Sequence, residues 1–271
     1  MRSGSKVVLI TGAASGIGRA CAEHLAARGH LVYGADRELV EYGRAVRPLF
    51  VDVDDDVAVH TAVNRVLEEQ GRIDVLVNNA GFGIAGAIED SSMEESRAQM
   101  ETNFFGPLRM IQAVLPHMRA QGSGLIVNVA SIGGLIALPY QGVYSASKFA
   151  LEGLSEALRM EVEPFGIEVV LIEPADCRTG FTAARRQVEA AATSVYRDDF
   201  AASLAVIEAD EDHGADPRVV ARRLDQVMNT ASPRLRYMAG APTERLAVLL
   251  KRILPYRWFA PIIHGHYRGS R

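Results

Sequence analysis

What most limits how this chain can fold is an alternation that runs through its first 175 residues. Short apolar runs bounded by turn residues recur at 7–10, 31–34, 49–51, 75–77, 125–129 and 169–172. Each has the length of a buried strand. Between them lie longer stretches of helical period, at 17–27, 57–70, 92–120 and 144–163. Strands that alternate with helices of this length predict an α/β architecture, a doubly wound parallel sheet with helices on both faces. With 271 residues, 48% of them apolar, the chain can fill one sizeable core, so a single domain over 1–271 is expected.

Beyond Thr179 the pattern changes. Helical pieces rich in Ala and Arg surround the acidic cluster Asp210-Glu211-Asp212, and Asp216-Pro217 offers a helix start, Asp suiting the cap and Pro the first turn. The stretch from about 180 to 233 reads as a helical substrate lid inserted over the carboxyl edge of the sheet. A last strand is predicted at 235–239, then a helix capped by Thr243 and stopped by Pro255. The tail carries Tyr256, Trp258, Phe259, Ile262 and Ile263. Packing on a neighbouring subunit or over an apolar pocket is the expected use of these residues, ahead of a membrane interface.

Composition removes several function classes. The net charge is −4 and no block of Lys or Arg tracks a face, so nucleic acid is not an expected partner. Cys21 and Cys177 neither frame a disulfide scaffold nor supply ligand spacing, which suits a reducing, cytoplasmic setting. His264 and His266 lack a third ligand nearby, and no metal is expected. No run has the length of a membrane span, and none reads as a signal-peptide core.

Chemistry first shows itself at Thr11-Gly12-Ala13-Ala14-Ser15-Gly16-Ile17-Gly18, which follows the first predicted strand and opens the first helix. Glycines there permit a tight turn and a close backbone approach to a pyrophosphate, which then meets the free N–H groups of the helix start. The candidate cofactor contacts are therefore Gly12, Ser15, Gly16, Ile17 and Gly18, the signature of a Rossmann-type dinucleotide site. Asp36 ends the second strand about twenty residues further on, where a carboxylate accepts from both ribose hydroxyls of NAD. It repels the extra phosphate of NADP. Arg37, next in sequence, could pair with that phosphate, so NAD is favoured and NADP stays open.

The glycine spacing, Asn78-Asn79-Ala80-Gly81 after the fourth strand, Ser131 after the fifth and Tyr144-Ser145-Ala146-Ser147-Lys148 together resemble the short-chain dehydrogenase/reductase family, over roughly residues 5–180. The resemblance implies that Asp52, with Val53 beside it, holds the adenine. It also implies that Asn79, followed by Ala80 and Gly81, braces the sheet beneath the cofactor, and that Asn103 joins the catalytic group by anchoring a proton-relaying water. Pro174 to Thr179 resembles the segment beside the nicotinamide, with Thr179 at the carboxamide position. It departs in carrying Ala175 where Gly is common. The long helices 92–120 and 144–163 resemble those that pair between subunits, so a homodimer or homotetramer is expected.

Tyr144 and Lys148 are four apart on a predicted helix, so both rise from one face. With eight Tyr and three Lys in the chain, chance places a Lys four residues after some Tyr about 0.09 times. An isolated phenol has a pKa of about 10, and bringing it to neutrality takes about 4 kcal/mol, which an ammonium and a nicotinium can supply. Tyr144 is then the acid/base for interconverting an alcohol and a carbonyl, and Ser131 bonds the oxygen on which charge develops. By family resemblance Lys148 also holds the ribose. A lipophilic secondary alcohol or its ketone is the expected substrate. The alternatives are a redox sensor without turnover and an epimerase or dehydratase on a nucleotide sugar.

Overall fold

The structure is a computed structural model that describes residues 4–42, 46–240 and 242–268. In chain order the elements are β1 (Val7–Thr11), α1 (Gly16–Ala27), β2 (Leu31–Asp36), β3 (Val46–Phe50), α2 (Asp56–Gln70), β4 (Val75–Asn78), β5 (Ile84–Ala85), α3 (Met93–Met100), α4 (Gly106–Gln121) and β6 (Gly124–Val129). They continue as α5 (Gly142–Val162), β7 (Ile167–Pro174), α6 (Phe181–Ala184), β8 (Arg186–Gln187), α7 (Arg197–Asp212), α8 (Arg218–Met228), β9 (Arg236–Ala239), α9 (Pro242–Ile253) and α10 (Tyr256–Tyr267).

The main sheet is parallel throughout, in the order β3-β2-β1-β4-β6-β7-β9, the doubly wound Rossmann architecture that the alternation predicts. Side chains alternate across it as the period-2 geometry of a strand requires. Leu9 faces the core shared with α2, α4 and α5, whereas Val8 and Ile10 face the core shared with α1 and α8. Because β1 pairs with β2 on one side and β4 on the other, the chain reverses its winding there, and a crevice opens outside the carboxyl ends of these strands. A third, smaller core joins Ile84 and Ala85 to Val188, Phe200 and Leu204, and the two-residue strands β5 and β8 pair above it.

Four expectations change in detail. β3 spans Val46–Phe50 rather than 49–51, because Arg47 and Pro48 on this edge strand are exposed and break the apolar run; Pro is tolerated at an edge. The helix predicted over 92–120 contains a π-turn at Glu101–Phe105, between α3 and α4. Thr243 lies inside α9, which begins at Pro242, a residue suited to a first helical position. Of the stretch 180–233, Phe181, Ala184, Ile207, Asp210 and Glu211 line the cleft at the carboxyl ends of the strands, while Val220, Ala221 and Leu224 of α8 sit wholly buried in the core shared with α1.

Candidate active site

The turn after β1 is built for a close approach. Gly12 adopts φ +67°, the left-handed region, and a Cβ there would meet the Ala80 Cα at 2.7 Å. Gly18 permits the helix to sit against this turn, since a Cβ on it would fall 2.0 Å from the Gly12 carbonyl oxygen. The Thr11 hydroxyl accepts from the Asn79 and Ala80 amides at 3.0 and 3.1 Å, and the Asn79 carboxamide donates to the Thr11 and Gly12 carbonyls at 3.0 Å each. These bonds brace β1 against β4 directly beneath the turn.

Two helix starts in the fold are capped by side chains. Asp55 caps α2, and Ser92 with Glu95 forms a capping box on α3. Ser15 at the start of α1 makes no such bond, which leaves the first-turn N–H groups to an external acceptor. A dinucleotide pyrophosphate, with its acceptor oxygens, fits these donors.

One cleft of about 410 Å³ collects the residues that the sequence nominates. Its wall includes Gly12, Ser15, Gly16 and Ile17 from the turn, Asp36 and Arg37 after β2, and Asp52 and Val53 after β3. Asn79, Ala80 and Gly81 follow β4, Asn103 lies in the π-turn, Ser131 follows β6, Tyr144 and Lys148 lie on α5, and Pro174 and Thr179 bracket the segment after β7. Gly18 alone among the nominated residues is not on the wall; it lies under the turn. Asp36 is held in place by the Ala14 amide at 2.9 Å on one oxygen and the Glu38 amide at 3.2 Å on the other. Asp52 accepts from the Asp54 amide at 3.0 Å.

Buried polar bonds fix α5 on the sheet. Asn78 donates to Asn128 at 2.8 Å, Asn128 to the Ser155 hydroxyl at 2.8 Å, and Ser155 to the Leu151 carbonyl at 2.7 Å. At the other edge Arg236 of β9 donates to Glu152 at 2.9 Å and to Glu156 at 2.7 Å. Sequence reasoning missed these ties, because their partners are brought together only by strand register. Tyr144 and Lys148 therefore project from a fixed helix.

The Lys148 ammonium donates to the Val129 carbonyl at 3.0 Å and lies 5.9 Å from the centre of the Tyr144 ring. Burial lowers its pKa to about 8. Burial also pushes the Tyr144 phenol up to about 12; the neighbouring Ser131 hydroxyl works against this, and the Glu211 carboxylate adds to it. Neutralising that starting point takes about 7 kcal/mol, rather than the 4 expected of an isolated phenol. Ser131 accepts from the Gly133 amide at 3.0 Å, so it caps a turn as well as meeting Tyr144. Asn103 does not bond its own helix. Its carboxamide accepts from the Phe82 amide at 3.1 Å and donates to the Phe82 carbonyl at 3.0 Å and to Ser147 at 3.2 Å, tying the π-turn to α5.

Ala175 stands buried where the family resemblance leads one to expect Gly, and the close contact moves to the partner strand: a Cβ on Gly240 would fall 2.3 Å from the Ala175 Cβ. Thr179 reaches back to the turn, 3.4 Å from where a Cβ on Gly16 would be. The acidic cluster also reaches the site, with Asp210 and Glu211 on the cleft wall beside Asp176 and Tyr267.

Comparison with known proteins agrees with this geometry. The chain matches the short chain dehydrogenase family over residues 6–190, and it belongs to that family. It is 46% identical over 251 residues, 92% of this chain and 93% of the relative, to the 3-ketodihydrosphingosine reductase of Bacteroides thetaiotaomicron. Its fold is similar to that of a short-chain dehydrogenase from Streptomyces avermitilis, with 33% identity and a TM-score of 0.82 over 98% of this chain and 99% of that one. A short-chain dehydrogenase/reductase of Burkholderia phymatum in complex with NAD is similar at 27% identity and a TM-score of 0.81, over 98% and 97% of the two chains. The chain is thus an oxidoreductase of CH–OH or carbonyl groups that uses a nicotinamide dinucleotide. Among the described residues no helix is long and apolar enough to cross a membrane.

Proposed function

We propose that this protein interconverts a secondary alcohol and its ketone with Tyr144 as the proton donor and acceptor, and that its ketone is long-chained and carries an ammonium beside the carbonyl. The meeting of Ser131, Tyr144 and Lys148 on the wall shared with the Gly-rich turn carries the first part. In reduction the Tyr144 phenol gives its proton to the carbonyl oxygen, and in oxidation the phenolate takes the hydroxyl proton. Ser131 hydrogen-bonds the same oxygen as its charge grows. Lys148 makes the phenolate less costly by its charge. The dinucleotide, held by the turn, Asp36, Asp52 and Thr179, supplies or accepts the hydride when bound.

Charge at the far end of the cleft supports the second part. Of the carboxylates there, Asp210 pairs with His266 at 2.8 Å and Glu211 with Arg185, whereas no hydrogen bond or ion pair among the described residues engages the Asp176 side chain. Burial and the neighbouring Glu244, Asp210 and Glu211 carboxylates push Asp176 up to about 7. A substrate ammonium is the counter-ion this group lacks, and Leu138, Phe181 and Ile207 on the same wall suit an alkyl chain. The ketone in the name of the Bacteroides relative combines these features: a carbonyl, a neighbouring amine and a long alkyl tail.

Initial rates on 3-ketodihydrosphingosine and on a neutral long-chain ketone test the proposal. Asp176→Asn should raise KM for the amino ketone about tenfold, the loss of about 1.4 kcal/mol, and leave the neutral ketone nearly unchanged. Equal effects on both would refute the ammonium assignment. Absence of turnover on any alcohol or ketone with either nicotinamide would refute the reaction.

A further inference from the structure

We infer that α9 and α10 form a docking surface for an anionic lipid membrane, set beside the mouth of the active-site cleft. The inference stands on this surface alone and does not depend on the substrate assignment. From Arg245 to the C-terminus the sequence has six Lys and Arg and no Asp or Glu, in a chain whose net charge is −4. On α9 the exposed residues include Arg245, Leu246, Leu249, Arg252 and Ile253, spaced so that they share one helix face. Leu249 is 50% exposed and Ile253 67%. On α10 only Phe259 is buried, while Tyr256, Arg257, Trp258 and Ile262 face outward. An apolar helical face flanked by cations, with Trp and Tyr on the helix that follows, has the composition of a segment lying in a headgroup layer.

Charge selects among the occupants of such a face. Two copies meeting through it would set Arg245 and Arg252 against the partner's own cations, with no carboxylate on the face to offset them. An anionic headgroup layer offers apolar depth and opposite charge together. The surface is also joined to the cleft. Lys251 donates to the Leu135 carbonyl, in the loop after Ser131; His266 pairs with Asp210 on the cleft wall, and Tyr267 is itself part of that wall. A membrane held by this surface therefore lies next to where a lipophilic molecule would enter.

Vesicle co-sedimentation of the full chain tests this, comparing phosphatidylcholine alone with phosphatidylcholine containing about 30% phosphatidylglycerol. Binding to the anionic vesicles should be at least tenfold tighter and should weaken with added salt. The double variant Leu249→Glu, Ile253→Glu should lose it while keeping the parent far-UV circular dichroism and the parent turnover of a short, water-soluble ketone. Arg245→Gln with Arg252→Gln should reduce the preference for anionic vesicles. Parent protein that stays in the supernatant, or binding that neither double variant changes, would overturn the proposal. So would light scattering that shows a parent dimer converted to monomer by Leu249→Glu, which would assign the face to a second copy.

Discussion

Replacing Lys148 by Met should stabilise the cofactor-free protein at neutral pH, and this advantage should fade as pH rises. Burial holds the ammonium at a pKa of about 8, against 10.5 for an ordinary Lys. Below pH 8 both the folded and the unfolded chain carry the proton, so the folded state bears the full cost of burying the charge. At 1.36 kcal/mol for each pH unit between the two values, that cost is about 3 kcal/mol. Met removes it but leaves the Val129 carbonyl without the donor it has at 3.0 Å, which returns about 1 kcal/mol. The net expectation at pH 7 is a variant more stable by about 2 kcal/mol. Between pH 8 and 10.5 the unfolded chain holds a proton that the folded chain has released, so parent stability rises with pH relative to the variant. Urea unfolding of both proteins without cofactor, from pH 7 to 10, measures the difference. A difference that stays flat across this range, or a parent that is the more stable at pH 7, would refute the claim that a buried charge is maintained here at the expense of stability.

The turn after β1 gives a paired test. Gly18→Ala puts a Cβ 2.0 Å from the Gly12 carbonyl oxygen and 2.5 Å from the Asn79 side-chain Nδ2, so α1 must move. A loss of about 1–3 kcal/mol with weaker dinucleotide binding is expected, by thermal unfolding and fluorescence titration. Gly153→Ala on α5, where nothing lies within 4 Å, should instead stabilise by about 0.5–1 kcal/mol through helix propensity. Equal effects would remove the close-approach argument. Asp36→Asn keeps an acceptor for the Ala14 amide and removes the charge, so it should move the ratio of kcat/KM from NAD toward NADP by about tenfold, or about 1.4 kcal/mol. A parent with higher kcat/KM on NADP would reverse the proposed preference.

The sheet was legible because each central strand is buried on both faces and so reads as a nearly continuous apolar run, as at Val75 to Val77 and Leu125 to Val127. Edge strand β3 blurred where Arg47 and Pro48 meet solvent. The cleft residues were legible where a motif carries its own spacing, as in the Gly-rich turn and the Tyr144–Lys148 pair. The π-turn was not, since adding one residue to a helical turn leaves the apolar period nearly intact over so short a stretch. Thr11, placed at the end of an apolar run, carried a faint signal of its bracing role. Asp176, Asp210 and Glu211 gave none for theirs, because their approach to Tyr144 depends on how the segment after β7 and helix α7 fold over the cleft.

The central claim is that the Tyr144 hydroxyl transfers the proton within a site that otherwise binds its dinucleotide normally. Tyr144→Phe keeps the buried ring, which packs 5.9 Å from the ring of Phe181, and deletes only the acidic group. Turnover of a ketone, followed by nicotinamide absorbance, should fall by at least about a hundredfold, while dinucleotide affinity measured by titration stays within about twofold. Turnover within threefold of the parent at unchanged affinity would contradict the account.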